Sequence, residues 1–342
     1  MSTLLVLLAV SGCTPADPPA DTEVDTDPAV DTDTDTDPAD TDPGVPTDPA
    51  GFAASVQVAR WQADVTALSV PRAPGSPGWQ AAQDHCRTTL EDLGFDTTLH
   101  TFPSGTNVIG RKAGTASEGS VIVSAHYDSV PGCPGADDNA SGVAGALEVA
   151  RVLAPGTFTH DLVVACWDRE EAGLLGSQAW AADNTGPIRM MWSFEMIGYA
   201  SSDPNTQDLP FGFDLVFPDQ TAQVVDNDRR GDFILYVGNP ASAPARVPFE
   251  TAAATAGLPQ VTIQLTQGQV GNPFLADLGR SDHASFWDAG YPGVMLTDSA
   301  NFRNASYHCA SGADTVDRLD PQFAAGTIAA TASATAELLG LP

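Results

Sequence analysis

The sequence predicts a layered α/β fold in one domain. Strand-like apolar runs alternate with helical patterns along most of the chain, which is typical of a sheet covered by helices. Residues 51–342 contain no internal repeat and no Gly/Pro-rich linker that would divide them. The length of 342 residues would suit one large domain or two small ones. We therefore predict a single α/β domain over residues 51–342.

Three strands and three helices can be placed from their patterns. The strands are short apolar runs, as expected for buried strands, and one helix carries small and apolar residues along one face. Strands are predicted over 121–125, 162–167 and 190–194, and helices over 78–93, 139–153 and 321–339.

The first residues of the chain resemble an export signal. Residues 1–12 form an apolar run that ends at Cys13 and is shorter than the roughly 20 apolar residues that span a bilayer. Residues 10–13 (VSGC) resemble the bacterial lipobox, in which the cysteine is lipidated. An ordinary cleaved signal with a chance cysteine is the alternative. We expect an exported protein, anchored through Cys13 to the bacterial cell envelope (outer membrane or periplasm) or secreted, with no other membrane contact.

Acidic residues are concentrated ahead of the predicted domain. Residues 14–50 hold 12 Asp/Glu and no Lys or Arg, in near-repeats of Asp, Thr, Pro and Ala. Such a segment buries too little apolar surface to fold, so we predict a disordered, solvated tether. The net charge is −30 for the chain and −18 for residues 51–342. This charge argues against a nucleic-acid binder, because phosphate neutralisation needs a basic face.

Polar side chains follow each of the three predicted strands directly. His126 follows the first strand, Glu170 and Glu171 come after the second, and Glu195 follows the third, while Asp138 precedes the helix over 139–153. Ligands of open α/β sheets bind beyond the carboxyl ends of the strands. One histidine with several carboxylates suits zinc, manganese or cobalt in a hydrolytic site. Any one of these acids alone would be interpreted as a loop residue or a helix cap. Their occurrence together at the ends of consecutive strands predicts a metal site.

Four motifs resemble the signatures of the family-28 metallopeptidases. This family contains co-catalytic zinc aminopeptidases and has relatives in glutaminyl cyclase and the transferrin receptor. The resemblance covers roughly residues 80–340, with the motifs in the expected order. The motifs are HYDS at 126–129, GADDNASG at 135–142, EEAGLLGS at 170–177 and SDHASFW at 281–287 followed by YH at 307–308. The resemblance implies a mixed, mostly parallel sheet with helices on both faces.

The resemblance also implies two Zn²⁺ ions that share one carboxylate, although other divalent metals are possible. Asp138 would be the bridging ligand. Glu171 and His308 would complete one ion, and His126 and Glu195 the other.

Further roles are implied for residues around these ligands. Glu170 would be the general base acting on a metal-bound water, and Tyr307 would donate a hydrogen bond to the developing oxyanion. Asp128 would accept a hydrogen bond from His126 and fix its tautomer. The family also has a cis peptide after the bridging Asp. Cys133 and Cys309 flank the implied site in an exported protein, so a disulfide between them is expected.

Two departures from the family pattern leave questions open. Most zinc aminopeptidases have Asp where Glu195 stands, so metal spacing or identity is open there. The last motif is usually His, three residues, then Asp-Thr, whereas five residues separate His308 from Asp314 here. The role of Asp314 is therefore open.

The resemblance implies an exopeptidase that removes N-terminal residues from peptides with a free N-terminus. A glutaminyl cyclase-like enzyme and a metal-free receptor or binding homologue are the alternatives. Retention of the ADDN motif argues against the cyclase, and metal-competent residues at all five ligand positions argue against the receptor. The preferred N-terminal residue, the natural substrate and the oligomeric state stay open.

Overall fold

The computed structural model describes residues 44–341. Cys13 and most of the predicted tether over 14–50 lie outside the described residues. The compact unit that contains the predicted domain begins at Val45. Its first helix is α1 (Pro49–Ala54), capped by Asp48, whose carboxylate accepts a 2.7 Å hydrogen bond from the Gly51 N–H. The folded unit thus starts slightly before the predicted boundary at residue 51.

The strands of the described chain form a single eight-stranded mixed sheet with the order β1-β2-β4-β3-β5-β8-β6-β7. The contacts β3–β4, β3–β5, β5–β8 and β6–β7 are parallel, and the other three are antiparallel. The strands are β1 (Asp96–Phe102), β2 (Gly105–Lys112), β3 (Ser120–His126), β4 (Asp161–Trp167), β5 (Ile188–Glu195), β6 (Ile234–Gly238), β7 (Gln260–Gln264) and β8 (Val294–Thr297). The mixed, mostly parallel sheet expected from the sequence is confirmed.

Helices cover both faces of this sheet. After α1 they are α2 (Val58–Leu68), α3 (Pro77–Asp92), α4 (Gly142–Leu153), α5 (Leu175–Asp183), α6 (Phe213–Val216), α7 (Pro218–Asp226), α8 (Ala243–Thr255), α9 (His283–Asp288) and α10 (Pro321–Leu339). The helix predicted over 139–153 begins only at Gly142, because the preceding turn, Ala136–Ser141, is irregular.

Successive side chains of β3 point to opposite faces of the sheet, and each face packs into its own core. Val121 and Val123 point to a large core that also contains residues of α2, α4 and α10. Ile122, one position along, points to a smaller core on the opposite face with Phe286 of α9. Both faces of the central strands are therefore buried, which explains why the sequence shows continuous apolar runs there.

Helix α4 lies very close to the segment that follows β5. A Cβ on Gly145 would come within 2.7 Å of the Ile197 side chain, so glycine lets the helix approach this segment closely. This packing fixes the start of α4 against the end of β5, where the candidate site lies. Between residues 44 and 341, none of the helices is both long and apolar enough to cross a membrane.

Candidate metal centre

The central strands bring three groups of predicted site residues to one edge of the sheet. Strands β4, β3 and β5 are adjacent and parallel, so their carboxyl ends lie side by side. His126 is the last residue of β3 and Glu195 the last of β5, and Glu170 and Glu171 follow β4 after a short turn. The crevice beyond strand ends is the usual ligand site of such sheets.

Asp138 lies between two histidines. Its Oδ1 is 3.4 Å from Nε2 of His126, and its Oδ2 is 3.3 Å from Nε2 of His308. His126 Nε2 is also 3.4 Å from Glu195 Oε2, and His308 Nε2 is 3.1 Å from Glu171 Oε2. Each oxygen of Asp138 therefore belongs to a different cluster of one histidine and one further carboxylate. The peptide bond between Asp138 and Asn139 is cis.

The donor atoms fit a pair of divalent cations. His126, Asp138 and Glu195 form one group and Asp138, Glu171 and His308 a second, with the ligand atoms of each group within 4.8 Å of one another. His126 is fully buried, yet its Nε2 has no hydrogen-bond partner. A buried polar nitrogen without a partner is costly, and a metal ion would supply the partner. Imidazole nitrogen with carboxylate oxygen is a common donor set for zinc.

Negative charge dominates this pocket. Burial raises the pKa of Glu170 well above its usual value, and the charges of Glu195 and Asp282 raise it further, against the opposing effect of His126. Burial alone would lower the pKa of His126, but Glu170 and Glu195 raise it well above its usual value. So many carboxylates around one imidazole make the site strongly attractive to cations, which in turn would keep the carboxylates ionised.

Asp128 holds the turn that carries two of the glutamates. Its Oδ1 accepts a 3.1 Å hydrogen bond from the Glu170 N–H, and its Oδ2 a 3.3 Å bond from the Glu171 N–H. His126 Nδ1 lies 3.2 Å from the main-chain oxygen of Asp128 and 3.5 Å from its Oδ1. Asp128 thus contacts His126 through its carbonyl more closely than through the carboxylate we expected. Such contacts orient metal ligands.

Asp314, whose role the sequence left open, supports the loop of the bridging residue. Its Oδ2 accepts 3.0 Å hydrogen bonds from the N–H groups of both Asp137 and Asp138. Its main-chain oxygen accepts a 3.3 Å bond from the Ala136 N–H. The stretched spacing after His308 therefore does not keep Asp314 from the site.

Tyr307 lies beside the second histidine. Its ring stacks on the His308 ring, with 3.8 Å between centroids and 22° between planes. The Tyr307 hydroxyl oxygen accepts a 2.9 Å hydrogen bond from Arg280 Nη2, and Ser281 Oγ donates a 2.8 Å bond to Glu195 Oε2. Sequence reasoning assigned no role to Arg280 or Ser281. The only available signal was their position in and beside the SDHASFW motif.

A disulfide joins Cys133 to Cys309, with 5.7 Å between the Cα atoms. It ties the loop after β3 to the segment that carries His308. Both His308 and Cys309 have positive φ angles, 53° and 58°, which non-glycine residues seldom adopt. Cys86 and Cys166, the other cysteines between residues 44 and 341, are free and buried.

An apolar pocket opens beside the candidate metal centre. Glu195 and Tyr307 lie on its wall, so the pocket and the metal centre are continuous. Strand β6 contributes Leu235 and strand β8 contributes Met295, while the segments around α6 close the sides. The apolar lining includes Leu209, Phe213, Phe233, Leu235 and Met295.

Comparison with protein families and curated sequences gives the following matches. The model of "Peptidase family M28" matches residues 107–336. The "Uncharacterized protein YfbL" of Escherichia coli K12 is 34% identical over 216 residues, which cover 59% of this chain and 62% of that protein. "Leupeptin-inactivating enzyme 1" of Streptomyces exfoliatus is 30% identical over 241 residues, which cover 68% of this chain and 45% of that enzyme. The chain thus spans less than two thirds of these curated relatives.

Solved structures share the fold. The LapA aminopeptidase of Legionella pneumophila superposes with a TM-score of 0.66 at 16% identity, covering 85% of this chain and 74% of that chain. A glutaminyl cyclase of Bacteroides thetaiotaomicron superposes with a TM-score of 0.58 at 17% identity, covering 85% of this chain and 99% of that chain. Enzymes with two different names therefore share this fold, so the fold by itself does not indicate which reaction this chain catalyses.

Proposed function

The chain belongs to peptidase family M28, and we propose that it is a zinc-dependent aminopeptidase acting on peptides outside the cytoplasm. The observation that carries the proposal is the position of Asp138. Its two carboxylate oxygens each face a histidine, 3.4 Å away on one side and 3.3 Å on the other. A carboxylate in this position is suited to bridge two cations.

The proposed ligands divide into two sets that share Asp138. His126 and Glu195 would complete one zinc site, and Glu171 and His308 the other. Zinc ions held there would supply Lewis acidity that activates a water molecule and polarises the scissile carbonyl. Glu195 can reach an ion in place of the shorter Asp, because its Oε2 lies as close to His126 Nε2 as Asp138 does. Other divalent cations would fit the same donors.

Glu170 is the proposed general base. Its side chain is 10% exposed and its Oε2 lies 3.9 Å from His126 Nε2, at the edge of the ligand cluster. Glu170 belongs to neither group of proposed ligands, so its carboxylate stays free to accept and release a proton. Glu170 would take a proton from the attacking water and deliver it to the leaving amine.

Tyr307 and the surrounding carboxylates complete the proposed reaction. The Tyr307 hydroxyl would donate a hydrogen bond to the oxygen of the scissile carbonyl as negative charge develops there. The negative charge of the site favours an unblocked, positively charged N-terminus over a blocked one. The proposed substrates are therefore peptides with a free α-amine.

The apolar pocket beside Glu195 would receive the side chain of the first residue. Most of the surface that lines the pocket is apolar, which favours an apolar side chain there. We therefore propose a preference for leucine-like or aromatic N-terminal residues over charged ones.

Hydrolysis of leucine p-nitroanilide tests this function. We expect cleavage that is abolished by a chelator and restored by zinc, and no cleavage of the N-acetylated anilide. Glu170→Gln should lower kcat by at least 100-fold while about two zinc ions per chain remain bound, because a general base contributes 10²–10⁴-fold. Glu250→Gln, the same change in helix α8, serves as the matched control.

Several outcomes would contradict this assignment. A pure protein that binds two zinc ions yet cleaves no substrate with a free N-terminus is not an aminopeptidase. Loss of zinc from Glu170→Gln would make Glu170 a ligand instead of a base. Ring closure of peptides with N-terminal glutamine, without hydrolysis, would support the cyclase alternative. A protein that binds no metal would support the receptor alternative.

We also propose that the enzyme is exported and anchored through a lipidated Cys13. The support is the apolar run over 1–12 and the lipobox-like VSGC at 10–13, both in the sequence alone.

A further inference from the structure

Arg280 makes a direct contact with the proposed oxyanion donor. It follows the short helical turn Pro273–Gly279, and two residues separate it from the start of α9. Its Nη2 donates a 2.9 Å hydrogen bond to the Tyr307 hydroxyl oxygen. The guanidinium carbon lies 5.4 Å from the centroid of the Tyr307 ring. Arg280 is therefore adjacent to a group assigned to the reaction, although the proposed mechanism gives it no role.

Two further side chains hold Arg280 in this orientation. Its Nη1 donates a 3.2 Å bond to Asp277 Oδ1 and a 2.8 Å bond to Asn301 Oδ1. Both partners line the apolar pocket. The guanidinium thus has a defined position even though its side chain is 39% exposed.

The chemistry of arginine determines where the hydroxyl proton of Tyr307 can point. A guanidinium only donates hydrogen bonds and never accepts them. The contact with Arg280 therefore uses a lone pair of the Tyr307 oxygen and excludes the hydroxyl proton from that direction. Stacking on His308 fixes the plane of the Tyr307 ring.

We propose that Arg280 is a positioning residue that orients the Tyr307 O–H group toward the oxygen of the scissile carbonyl. This inference rests on the proposed function and on the role assigned there to Tyr307. A positively charged donor on the phenolic oxygen also polarises its O–H bond, so Arg280 makes Tyr307 a stronger donor to the developing oxyanion.

A purely structural role is a weaker explanation of the same contacts. The side chains of the Arg280–Asp277 ion pair are 39% and 45% exposed, and ion pairs at the surface contribute little to stability. Removal of Arg280 is therefore expected to leave folding intact, so that changes in turnover report on Tyr307.

Steady-state kinetics with leucine p-nitroanilide test the proposal. Arg280→Met should lower kcat about tenfold, a fraction of the 10²–10³-fold lost with a whole oxyanion donor. KM should change less than twofold, and Tm and zinc content should match the wild type. Arg280→Lys, which keeps a charged donor, should recover part of the loss. Arg246→Met is the matched control, since Arg246 pairs with Glu250 on the surface of α8.

A double-mutant cycle separates positioning from an independent effect. In the Tyr307→Phe background, Arg280→Met should cause no further loss of kcat. A second readout is binding of the phosphonate analogue of leucine, whose tetrahedral oxygens mimic the oxyanion, measured by calorimetry. Arg280→Met should weaken this analogue about tenfold and leave the affinity for leucine unchanged.

Failure of this inference can be told apart from failure of the proposed function. An equal loss of kcat in both backgrounds, a loss confined to KM or a loss of zinc would overturn the positioning role of Arg280. A wild-type protein without hydrolysis would overturn the proposed function instead. If Tyr307→Phe alone kept full kcat, the role of Tyr307 would fail, and that of Arg280 with it.

Discussion

At the scale of single residues, Asp138 connects the two halves of the candidate metal centre. Its side chain is buried and faces His126 and His308 from opposite oxygens. The backbone angles of Asp138 are non-helical at this irregular turn, and its N–H donates a hydrogen bond to the Asp314 carboxylate. The position of the bridging carboxylate therefore depends on a residue 176 positions away in sequence.

The residue-scale prediction concerns Asp314. Asp314→Ala removes the acceptor for two N–H groups of the bridging loop, so zinc affinity should fall 10- to 100-fold, as is typical for partners of metal ligands. Competition titration with a chromogenic chelator measures this change. Asp314→Asn, which keeps one side-chain oxygen as an acceptor, should stay near wild type. Wild-type affinity in Asp314→Ala would show that the loop holds its shape without Asp314.

The sequence identified the residues that carry chemistry better than those that support them. His126, Glu170 and Glu171 stand in recognisable motifs directly after apolar strands. Asp314 and Arg280 act through hydrogen bonds to partners on distant segments. Which partner a polar side chain finds depends on tertiary packing, so no local pattern could predict these contacts.

At the scale of elements, the adjacency of β4, β3 and β5 assembles most of the site. The strands are parallel and next to one another, so the residues at their carboxyl ends meet without any long loop. Two ligands come from outside the strand ends: Asp138 lies in the irregular turn before α4, and His308 lies in an irregular segment after β8 with a positive φ angle. This segment is attached to the rest of the site by the disulfide from Cys309 to Cys133.

The element-scale prediction tests this attachment. The double variant Cys133→Ser/Cys309→Ser should bind one zinc ion as the wild type does and the other about tenfold more weakly, because only the set containing His308 loses its support. Stepwise chelator titration resolves the two ions. Cys86→Ala, which removes a buried thiol that forms no disulfide, is the control. Equal weakening of both ions would contradict a local role.

The sequence analysis did not predict five of the eight strands, β1, β2, β6, β7 and β8, which include both edge strands. Strand β1 has only exposed and half-buried residues, and β7 alternates between half-buried and buried positions. Neither shows the continuous apolar run that revealed β3 and β4. The alternation in β7 extends over only five residues, and so short a pattern does not distinguish a strand from a loop.

At the scale of the whole molecule, the acidic residues fall into two groups, one in a terminal segment and one in the folded unit. Twelve acids lie in residues 14–50, and residues 51–342 carry a net charge of −18. Five carboxylates of the folded unit converge on the candidate metal centre, where two zinc ions would offset four negative charges. The acidic composition of the folded unit is thus explained in part by the metal-site carboxylates, and it does not by itself indicate a binding partner.

The whole-molecule prediction concerns export and anchoring. Cys13→Ser should abolish labelling of the protein by radioactive palmitate in bacterial cells and move the enzyme from the membrane fraction to the soluble fraction. The leucine anilide activity of the released protein should be unchanged, because Cys13 lies outside the family match over 107–336. Unlabelled wild-type protein in the medium would instead indicate an ordinary cleaved signal.

The sequence by itself determined the α/β class, the central strands and the residues whose chemistry suits a metal centre. It could do so because buried strands and their polar ends are local features of the chain. Only the tertiary structure decided that Asp138 lies between two histidines, that Asp314 binds its loop and that Arg280 binds Tyr307. Those relations join segments far apart in sequence, and packing of the whole domain sets their distances.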